Sequence, residues 1–538
     1  WGPCVWYAAA DPLCTLRVWN ILFKEYTDKP EHTMSIYNLE KMCNIATSWM
    51  HRCRVYIDRE KALSSCIEGQ QLWWDSLLEV YDGASKILGR NVAPNYLRIM
   101  KGKFKGAINV FDPQEVGTED RMSYKVRVDE ARKEAKRNHP DPIQKTTKNV
   151  PLVGKEAGTE NVEFPMTYDV LSAQQLGLLF RELKIPNLIA SEKSGQVVTK
   201  AEVLDDVIDK AEKEFPFMSK IKNLRFLSKA LGQYLIPFIE DVGYDGTLKP
   251  RFDQFAADTG RFSCKSTSKP WKVKDGGCRV PFQGIPAYGK DAGKKPAIIS
   301  YMRDCIASRG DKWWLAAIDY AGVELRLVTN LSREPLWIKA FFECSDCGNQ
   351  FPREMNEDNI PKATPTYCSC GSDRIGDLHT ITATAFYGEK AKNLPNWKDL
   401  RGNGKGCNFA LSYGGTGKAV QRTIGCSQQE GDDKYKKFTS TYKTLAGWWG
   451  VQHRSARKNG YVKTAFGRVQ PLPDINSDDF RKKSKDERKA VNGPVQGTSA
   501  DITKLAMSLV YREVKKRGWL DKLKMILTVH DEIVFEIH

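Results

Sequence analysis

The feature that most constrains the fold is an acidic turn between two β-prone runs near the end of the sequence. Residues 524–529 read KMILTV and residues 533–537 read IVFEI, and both are rich in the apolar and β-branched residues typical of strands. Between them stand His530, Asp531 and Glu532. Adjacent carboxylates inside apolar strands are unfavourable unless something compensates their charge. The stretch therefore predicts a β-hairpin with an acidic tip, which is either an ordinary surface turn or part of a cation site.

A second strand that ends in an aspartate favours the cation site. The run from Trp313 to Ile318 is apolar throughout and predicts a buried strand, with Asp319 as its last residue and a helix from Val323. Carboxylates and backbone carbonyls, such as that of Tyr320, are ligands that Mg²⁺ prefers. Brought together, the two aspartates can hold two ions that activate a 3′-hydroxyl and steady a leaving pyrophosphate.

A basic and aromatic stripe lies between these two segments. Arg401, Lys405, Phe409 and Tyr413 recur at steps of four, which places them along one face of a helix. Two cations near its start suit a triphosphate, and an aromatic ring further along can stack on a base or sugar. A single Arg–Lys pair at this spacing is common, but the complete set is rare by chance and favours nucleotide binding.

The charge balance narrows the class of partner. The 538 residues include 83 Lys and Arg against 66 Asp and Glu, a formal net charge of +17, which favours polyanions and nucleic acid first. No apolar run approaches the roughly 20 residues of a membrane-spanning helix, so we expect no membrane partner. The 14 cysteines are mostly scattered, which indicates free thiols in a reducing compartment. We expect an intracellular location, in the host cytoplasm if the source is a virus, with an organelle also open.

The order of these segments resembles that of family A DNA polymerases, the group of bacterial polymerase I and many phage replicases. DYAGVELR resembles motif A, RGNGKGCNFALSYGG resembles motif B and VHDE resembles motif C. DTGRFS and FQGIP resemble the template-primer segment, GDLHTITATAFYG resembles the helix before motif B, and GYVKTAFGR with ERKAVNGPVQGTSADI resembles the stretch after it. RVYID, LSAQQLGLLF and LRFLSKALGQYLIPF resemble the thumb, and YAAAD resembles the last motif of a 3′–5′ exonuclease domain. Gly322 in motif A is similar to the phage members.

The resemblance implies an α+β, right-hand polymerase fold with an antiparallel palm sheet, a helical thumb and helical fingers, preceded by the tail of a 3′–5′ exonuclease domain. The implied domains are the exonuclease remnant at 1–26, the thumb at 27–250 with a basic insertion at about 95–160, the first part of the palm with motif A at 251–335, the fingers with motif B and a cysteine insert (343–375) at 336–480, and the second part of the palm with motif C at 481–538. The remnant would carry Tyr7 and Asp11. The earlier acidic exonuclease motifs lie outside this sequence, so we expect a chain shortened at both ends that does not proofread.

The resemblance also implies roles for individual residues. Asp319 and Asp531 would be catalytic and would bind two Mg²⁺ ions together with the Tyr320 carbonyl, and Glu532 would be a nearby acidic helper. Glu324 would close the space under the sugar and exclude a ribose 2′-hydroxyl. The positions implied to contact the incoming dNTP are Tyr320, Glu324, His379, Arg401, Lys405, Phe409 and Tyr413. Those implied to contact the duplex near the primer end, where minor-groove acceptors are common to every base pair, are Arg261, Asn492, Gln496 and His530.

Motif B carries two further expectations. The resemblance implies that Phe rather than Tyr at position 409 discriminates against dideoxynucleotides. Gly402, Gly404 and Gly406 interrupt the helix, and each costs about 1 kcal/mol relative to Ala. We therefore expect a helix that is less rigid than is usual for the family.

Two features of the thumb region leave alternatives open. Lys222, Arg225 and Lys229 lie along one side of a predicted helix, either as a solvated face or as a track for a DNA phosphate backbone. The charged, poorly periodic segment at about 95–160 is either a family-specific, disordered insertion or a processivity element that binds a partner factor, as in some phage relatives.

A cysteine cluster interrupts the region before motif B. Cys344 and Cys347 form a CxxC pair and Cys368 and Cys370 a CxC pair, each followed by glycine, a pattern that resembles the knuckles of a zinc ribbon. The short second spacing weakens the match. A structural Zn²⁺ is the leading hypothesis, with free thiols or another metal as the alternative.

Together these features predict a monomeric, template-directed DNA polymerase, in replication or repair, that binds primer-template DNA and dNTPs and uses two Mg²⁺ ions. Two alternatives stay open. A non-catalytic nucleic-acid-binding fragment would explain the charge and the cysteines, but would not need Asp319, Asp531, Arg401 and Lys405 together. A single-subunit RNA polymerase shares the chemistry, but Glu324 argues against ribonucleotides.

Overall fold

A computed structural model of the chain describes residues 34–94, 145–151, 159–186, 210–264, 278–285, 302–320, 322–342 and 377–538, together with 188–189, 197–198, 204 and 207–208. The described residues form two compact units. One contains residues 34–53, residues 252–263 and the described parts of 316–538, and the other contains the described parts of 54–251 and 264–315.

Helices dominate the described residues. In chain order they are α1 Met34–Cys53, α2 Arg59–Leu88, α3 Ala173–Glu182, α4 Met218–Ala230, α5 Ile236–Glu240, α6 Val323–Ser332, α7 Pro335–Phe342, α8 Leu378–Tyr387, α9 Trp397–Ser412, α10 Gly417–Ile424, α11 Gln428–Thr441, α12 Lys443–Asn459 and α13 Phe480–Lys516. The strands are β1 Val55–Tyr56, β2 Lys145–Pro151, β3 Thr159–Pro165, β4 Thr247–Leu248, β5 Phe252–Asp253, β6 Ser263–Cys264, β7 Trp314–Asp319, β8 Tyr461–Lys463, β9 Val469–Pro471, β10 Leu523–Val529 and β11 Glu532–Ile537. Many helices with several small sheets confirm the predicted α+β class.

The first unit has a helical core built from α6 to α12. Trp337, Phe438, Tyr442 and Trp449 are among its buried side chains. The ring of Tyr442 lies 5.7 Å from that of Trp337 and 4.8 Å from that of Phe438, in the edge-to-face arrangement that aromatic pairs favour. This core supports α8 and α9, and α9 carries the basic and aromatic stripe that the sequence predicts.

The same unit contains a three-stranded sheet in the order β10-β11-β7. Strands β10 and β11 pair antiparallel, with Val529 opposite Glu532, so His530 and Asp531 form a two-residue turn. His530 has φ of +54°, as two-residue hairpin turns require. The 37-residue helix α13 packs against α1, where the rings of Trp49 and Tyr511 are 5.4 Å apart. The predicted hairpin is confirmed.

Strand β7 departs from its prediction. Its bounds agree with the predicted strand that ends at Asp319, but its side chains are not buried: Trp314 is 74% exposed and Ile318 is 60% exposed. The strand lies at the edge of the three-stranded sheet and pairs only with β11 in the described structure. The apolar run identifies a strand correctly, but its burial depends on what packs on both faces of the strand.

The second unit is built around α2, which packs against α4 and α5. Asp58 caps α2 by accepting a hydrogen bond from the backbone N–H of Lys61, and Gly89 ends the helix in the left-handed conformation. Ser172 caps α3, because its hydroxyl accepts a hydrogen bond from the Gln175 N–H at the start of the helix.

Part of the segment predicted to lack periodic structure forms a hairpin. Strands β2 and β3 pair antiparallel over seven residues each, and both contact α3. Lys148 reaches the buried carboxylate of Glu182 at 2.8 Å, and Arg90 reaches it at 2.7 Å. The alternation in these strands is hard to recognise in the sequence because Lys, Thr, Asn and Glu fill most of their positions.

No helix within the described ranges combines the length and the apolarity needed to cross a membrane. The eight cysteines that the structure describes are all free thiols, and seven of them are buried. Burial raises the pKa of Cys43 to about 11 and that of Cys66 to about 12, so both remain protonated and unreactive. The described cysteines therefore agree with the prediction of free thiols.

Candidate active site

The turn between β10 and β11 lies beside the end of β7. The backbone N–H of Tyr320 donates to the carbonyl of Asp531 at 3.4 Å, which joins the residue after Asp319 to the acidic turn. Asp319 is exposed, and Asp531 and Glu532 are half-buried. The structure thus brings the two aspartates of distant segments to neighbouring positions on one sheet. Within the described ranges, no group of three or more His, Cys, Asp or Glu side chains gathers closely enough to hold a metal ion.

One oxygen of Asp531 has a protein partner. The hydroxyl of Ser499, a buried residue of α13, donates to Asp531 Oδ1 at 3.0 Å. The guanidinium of Arg261 lies 3.9 Å from the same oxygen. Asp531 Oδ2 has no hydrogen-bond partner among the described residues. The carboxylate is therefore held from one side and left open on the other.

Glu324, at the start of α6, is the centre of a second polar group. Its two carboxylate oxygens accept from the guanidinium of Arg261 and from the hydroxyl of Tyr413. Burial and the carboxylate of Glu324 both raise the pKa of Tyr413, so its hydroxyl stays a donor. In the protein alone, these three half-buried side chains bind one another, and together they form a wall next to Asp531.

Three of the four residues of the predicted stripe lie on α9, and the fourth, Tyr413, comes directly after the end of the helix at Ser412. Arg401, Lys405 and Phe409 follow the helix at steps of four; Lys405 is exposed and Phe409 is 39% exposed. Arg401 Nε donates to Asp377 Oδ2 at 2.5 Å, whereas its two terminal nitrogens have no partner among the described residues. Burial would raise the pKa of Asp377, but hydrogen bonds from Arg401 and Thr380 outweigh it and lower that pKa. The helix thus presents cationic groups and one aromatic face to solvent.

His379 stands at the first turn of α8, beside this stripe. Its ring centroid lies 6.3 Å from that of Phe409, and its Nδ1 is 3.0 Å from the amide nitrogen of Asn408. Burial lowers the pKa of His379 to about 4; Asp377 opposes the shift and Arg401 adds to it. His379 is therefore neutral near pH 7.

The three glycines that were expected to make α9 less rigid do not break the helix. The helix is continuous from Trp397 to Ser412. A Cβ on Gly404 would lie 2.6 Å from the carbonyl oxygen of His379, and one on Gly406 would lie 2.6 Å from a methyl of Thr423. These two glycines allow α8 and α10 to approach α9 closely, so tertiary contacts offset the low helix propensity.

Two of the predicted duplex-binding residues share a face of α13. Asn492 and Gln496 are one turn apart and half-buried, and Ser499 follows on the same face. The buried Oδ1 of Asn492 has no hydrogen-bond partner in the described structure. His530 is exposed at the hairpin turn. The face that carries Asn492 and Gln496 therefore leads to the Asp531 carboxylate.

Other predicted residues lie elsewhere. Lys222 and Arg225 are half-buried and Lys229 is exposed on α4, in the second unit. Six predicted residues lie outside the described ranges: Tyr7, Asp11, Cys344, Cys347, Cys368 and Cys370. The zinc, exonuclease and processivity hypotheses stay predictions from the sequence.

Sequence reasoning missed three residues of this region: Asp377, Asn408 and Ser499. Asn408 had a detectable signal, because it falls on the face of α9 that also carries the buried Cys407 and Leu411. A polar side chain on an apolar helix face requires a hydrogen-bond partner. Asp377 also had one, as a helix-capping residue just before α8. Ser499 had none, since its partner is 32 residues away.

The sequence is similar to those of known proteins. The sequence model of DNA polymerase family A matches residues 153–538. DNA polymerase I of Streptococcus pneumoniae (strain ATCC BAA-255 / R6) is 28% identical over 373 residues, which are 69% of this chain and 36% of that protein. The thermostable DNA polymerase I of Thermus aquaticus is 28% identical over 360 residues, which are 67% of this chain and 36% of that protein. The chain thus spans 36% of the length of these two relatives.

A solved structure, the POL domain of Pol1 from M. smegmatis in complex with DNA primer-template and dNTP, is similar in fold. It aligns with a TM-score of 0.61 and 20% sequence identity, covering 93% of this chain and 63% of that chain. At this identity the likeness concerns the fold alone, and it agrees with the polymerase fold that the sequence motifs imply.

Proposed function

Because this chain belongs to DNA polymerase family A, we propose that it extends a primer 3′-hydroxyl with dNTPs as a template strand directs. The observation that carries the proposal is the convergence, within one compact unit, of the Asp319–Asp531 sheet edge, the Glu324 group and the cationic face of α9. A module that only binds nucleic acid has no need for paired carboxylates together with two cations on one helix face.

The two aspartates fit divalent cations. Both offer hard oxygen ligands, Asp319 is exposed, and Asp531 has a free Oδ2 within the described structure. Mg²⁺ is bound in this way, by one or two carboxylates with waters and substrate phosphates. Asp319 and Asp531, with the Tyr320 carbonyl, would hold the ions, which supply charge stabilisation for in-line phosphoryl transfer when bound.

Residues on α8 and α9 would hold the triphosphate. The terminal nitrogens of Arg401, which have no partner among the described residues, form a fork that suits phosphate oxygens, and Lys405 adds a point charge one turn further on. Phe409, with its exposed ring, would lie against the base or sugar of the dNTP. His379 would donate to a phosphate oxygen from its free edge.

Glu324 would select the sugar. Its carboxylate is fixed by Arg261 and Tyr413, so it cannot turn away from the space beneath an incoming nucleotide without breaking both hydrogen bonds. A 2′-hydroxyl pressed against this wall would be excluded, which favours dNTPs over NTPs. On α13, Asn492 and Gln496 offer amide groups that can test pair shape from the minor groove.

Primer extension tests the proposal and separates it from its alternatives. We expect the protein to extend a primed template with dNTPs and much less with NTPs. Asp531→Asn should abolish extension, because it removes a charge required for the cation site, while duplex binding is retained. Asp521→Asn is the matched control, since Asp521 is exposed just before β10 and outside the site.

Three outcomes would overturn the assignment. Equal use of NTPs would indicate an RNA polymerase. Duplex binding without any extension by the unaltered protein would indicate a binding module. Full extension by Asp531→Asn would refute the role of that carboxylate.

A further inference from the structure

His379 is connected to the helical core through a chain of buried hydrogen bonds. Its Nδ1 is 3.0 Å from Asn408 Nδ2, and Asn408 Oδ1 is 2.7 Å from the hydroxyl of Thr382. The same hydroxyl is 2.7 Å from that of Tyr442. Asn408, Thr382 and Tyr442 are all fully buried, so no solvent can exchange for these partners. The hydrogen atoms in this series of hydrogen bonds can therefore be arranged in only a few ways.

The backbone carbonyl of Leu378 determines which way the Asn408 amide is turned. One group of the amide lies 3.4 Å from the backbone oxygen of Leu378, and a carbonyl oxygen can only accept. The NH₂ group must therefore face Leu378, which leaves Oδ1 facing the hydroxyl of Thr382. The reversed amide would place two acceptor oxygens side by side in a buried site, which is strongly unfavourable.

This orientation decides the tautomer of His379. The second N–H of the Asn408 amide points to His379 Nδ1, which can accept only when it carries no proton. A neutral imidazole then carries its proton on Nε2. Nε2 has no hydrogen-bond partner among the described residues.

We propose that Asn408 is a positioning residue that locks His379 in the Nε2–H tautomer, so that His379 presents one fixed, neutral donor to an anionic oxygen of a nucleoside triphosphate. The ligand class rests on the proposed function, whereas the tautomer rests on the contacts of Asn408 alone.

The surrounding charges explain why a neutral donor suits this place. Arg401 and Lys405 on α9 already supply two positive charges, and among the described residues Asp377, just before α8, is the one acidic group that acts on the ring. Asp377 is itself occupied by Arg401, Thr380 and the backbone N–H of His379. A third cation would be repelled by the first two, whereas an Nε2–H adds direction without charge. The low pKa of His379, about 4, agrees with this role.

Nitrogen NMR of the protein without substrate tests the lock directly. The chain has seven histidines, so ¹⁵N-histidine labelling gives few ring signals, and His379→Gln identifies the one that matters. We expect the His379 signals of a neutral Nε2–H ring, unchanged between pH 8 and pH 5.5. A protonated Nδ1, or an even mixture of tautomers, in the unaltered protein would overturn the proposal.

Variants of the amide separate a lock from a merely structural contact. Asn408→Asp replaces the donor by an acceptor and should move the proton to Nδ1 and raise the pKa of His379. Asn408→Leu should leave a mixture of tautomers. Asn403→Leu is the matched control, because Asn403 is a half-buried amide on the same helix that bonds Tyr387 instead. If Asn408→Asp keeps the unaltered tautomer, the lock is refuted; Thr382→Val provides a second test should that variant not fold.

Kinetics then tests the ligand. With the lock removed by Asn408→Leu, we expect the KM for dNTP to rise roughly tenfold, the scale of one hydrogen bond to a charged group, with a smaller effect on kcat. An unchanged KM would overturn the phosphate contact. Because the NMR measurement needs no catalysis, a correct tautomer in a protein that extends no primer would refute only the proposed function.

Discussion

At the residue scale, the hydrogen bond from Ser499 to Asp531 stands out from its neighbours on α13. Thr498, Thr503 and Ser508 each bond a carbonyl one turn back in their own helix, as hydroxyls in helices commonly do. Ser499 instead donates to a side chain on the hairpin turn. A buried donor of this kind restricts the rotation of the carboxylate and assigns Oδ1 to the protein and Oδ2 to solvent or a ligand.

Ser499→Ala should therefore weaken the proposed cation site without unfolding the protein. Loss of an outer partner of a metal-binding carboxylate typically lowers affinity or activity by about 10–100-fold. We expect at least a roughly tenfold rise in the Mg²⁺ concentration for half-maximal primer extension, and a matching loss of Mn²⁺ affinity in calorimetry. Ser508→Ala is the control, since Ser508 is buried on the same helix and bonds only backbone. Equal metal affinity in the two variants would contradict the assignment.

The sequence predicts residue identities at this site better than their partners. Arg261 is expected to contact DNA and Glu324 to contact a sugar, yet in the protein alone they bind each other and Tyr413. Pairings of this kind join positions 63 and 89 residues apart, and no local periodicity encodes them. The stripe on α9 is different, because its spacing is set by one helix and can be counted along the chain.

At the element scale, the close contact of α8 with α9 depends on one glycine. A Cβ on residue 404 would lie 2.6 Å from the carbonyl oxygen of His379 and 3.0 Å from the backbone nitrogen of Ala383. Gly402, in the same helix, has no atom within 4 Å of its Cβ position. The two glycines are alike in the sequence and opposite in the structure, so helix propensity alone does not describe what Gly404 does.

This contrast predicts opposite signs for two single substitutions. Gly404→Ala should lower the free energy of unfolding by about 1–3 kcal/mol, because backbone atoms must move to admit the methyl group. Gly402→Ala should raise it by up to about 1 kcal/mol through helix propensity. Urea unfolding of both variants and the unaltered protein measures the two values. If both substitutions stabilise, α8 is free to shift and Gly404 is not what sets the spacing.

Strand β7 shows that the bounds of an element are easier to predict than its burial. Its apolar run predicts the bounds of a strand correctly because β-propensity is local. Burial is not local, since it requires another layer on each face, and Ile318 remains 60% exposed. Likewise the β2–β3 hairpin is hard to recognise in the sequence because its strands are mostly polar. A contact with another element, between Lys148 and the buried carboxylate of Glu182, stabilises it.

At the scale of the whole molecule, a buried ionic cluster joins residues from distant parts of the chain within the first unit. Lys504 of α13, fully buried, reaches Glu40 of α1 at 2.6 Å and the carbonyl of Gln254 at 2.9 Å. Arg468 binds the same Glu40 and also Asp501, at 2.6 Å. Two cations and two anions make the cluster neutral. The sequence gives no sign of it, since Glu40 and Lys504 are 464 residues apart.

The balance of this cluster predicts its response to losing one member. A buried ion pair contributes little net stability against a well-packed apolar replacement, but removing a single partner leaves an uncompensated charge. Lys504→Met keeps most of the side-chain volume and leaves the cluster with one negative charge in excess. We expect the free energy of unfolding to fall by about 3–5 kcal/mol.

An exposed pair gives the scale for comparison. Lys436 lies 3.8 Å from Asp433 with 78% and 60% of the side chains exposed, so Lys436→Met should change stability by less than about 1 kcal/mol. Both variants can be followed by urea unfolding in parallel. If Lys504→Met lowers the free energy of unfolding no more than Lys436→Met does, charge compensation does not hold α1 to α13. Apolar contacts such as Trp49 against Tyr511 would then account for that packing.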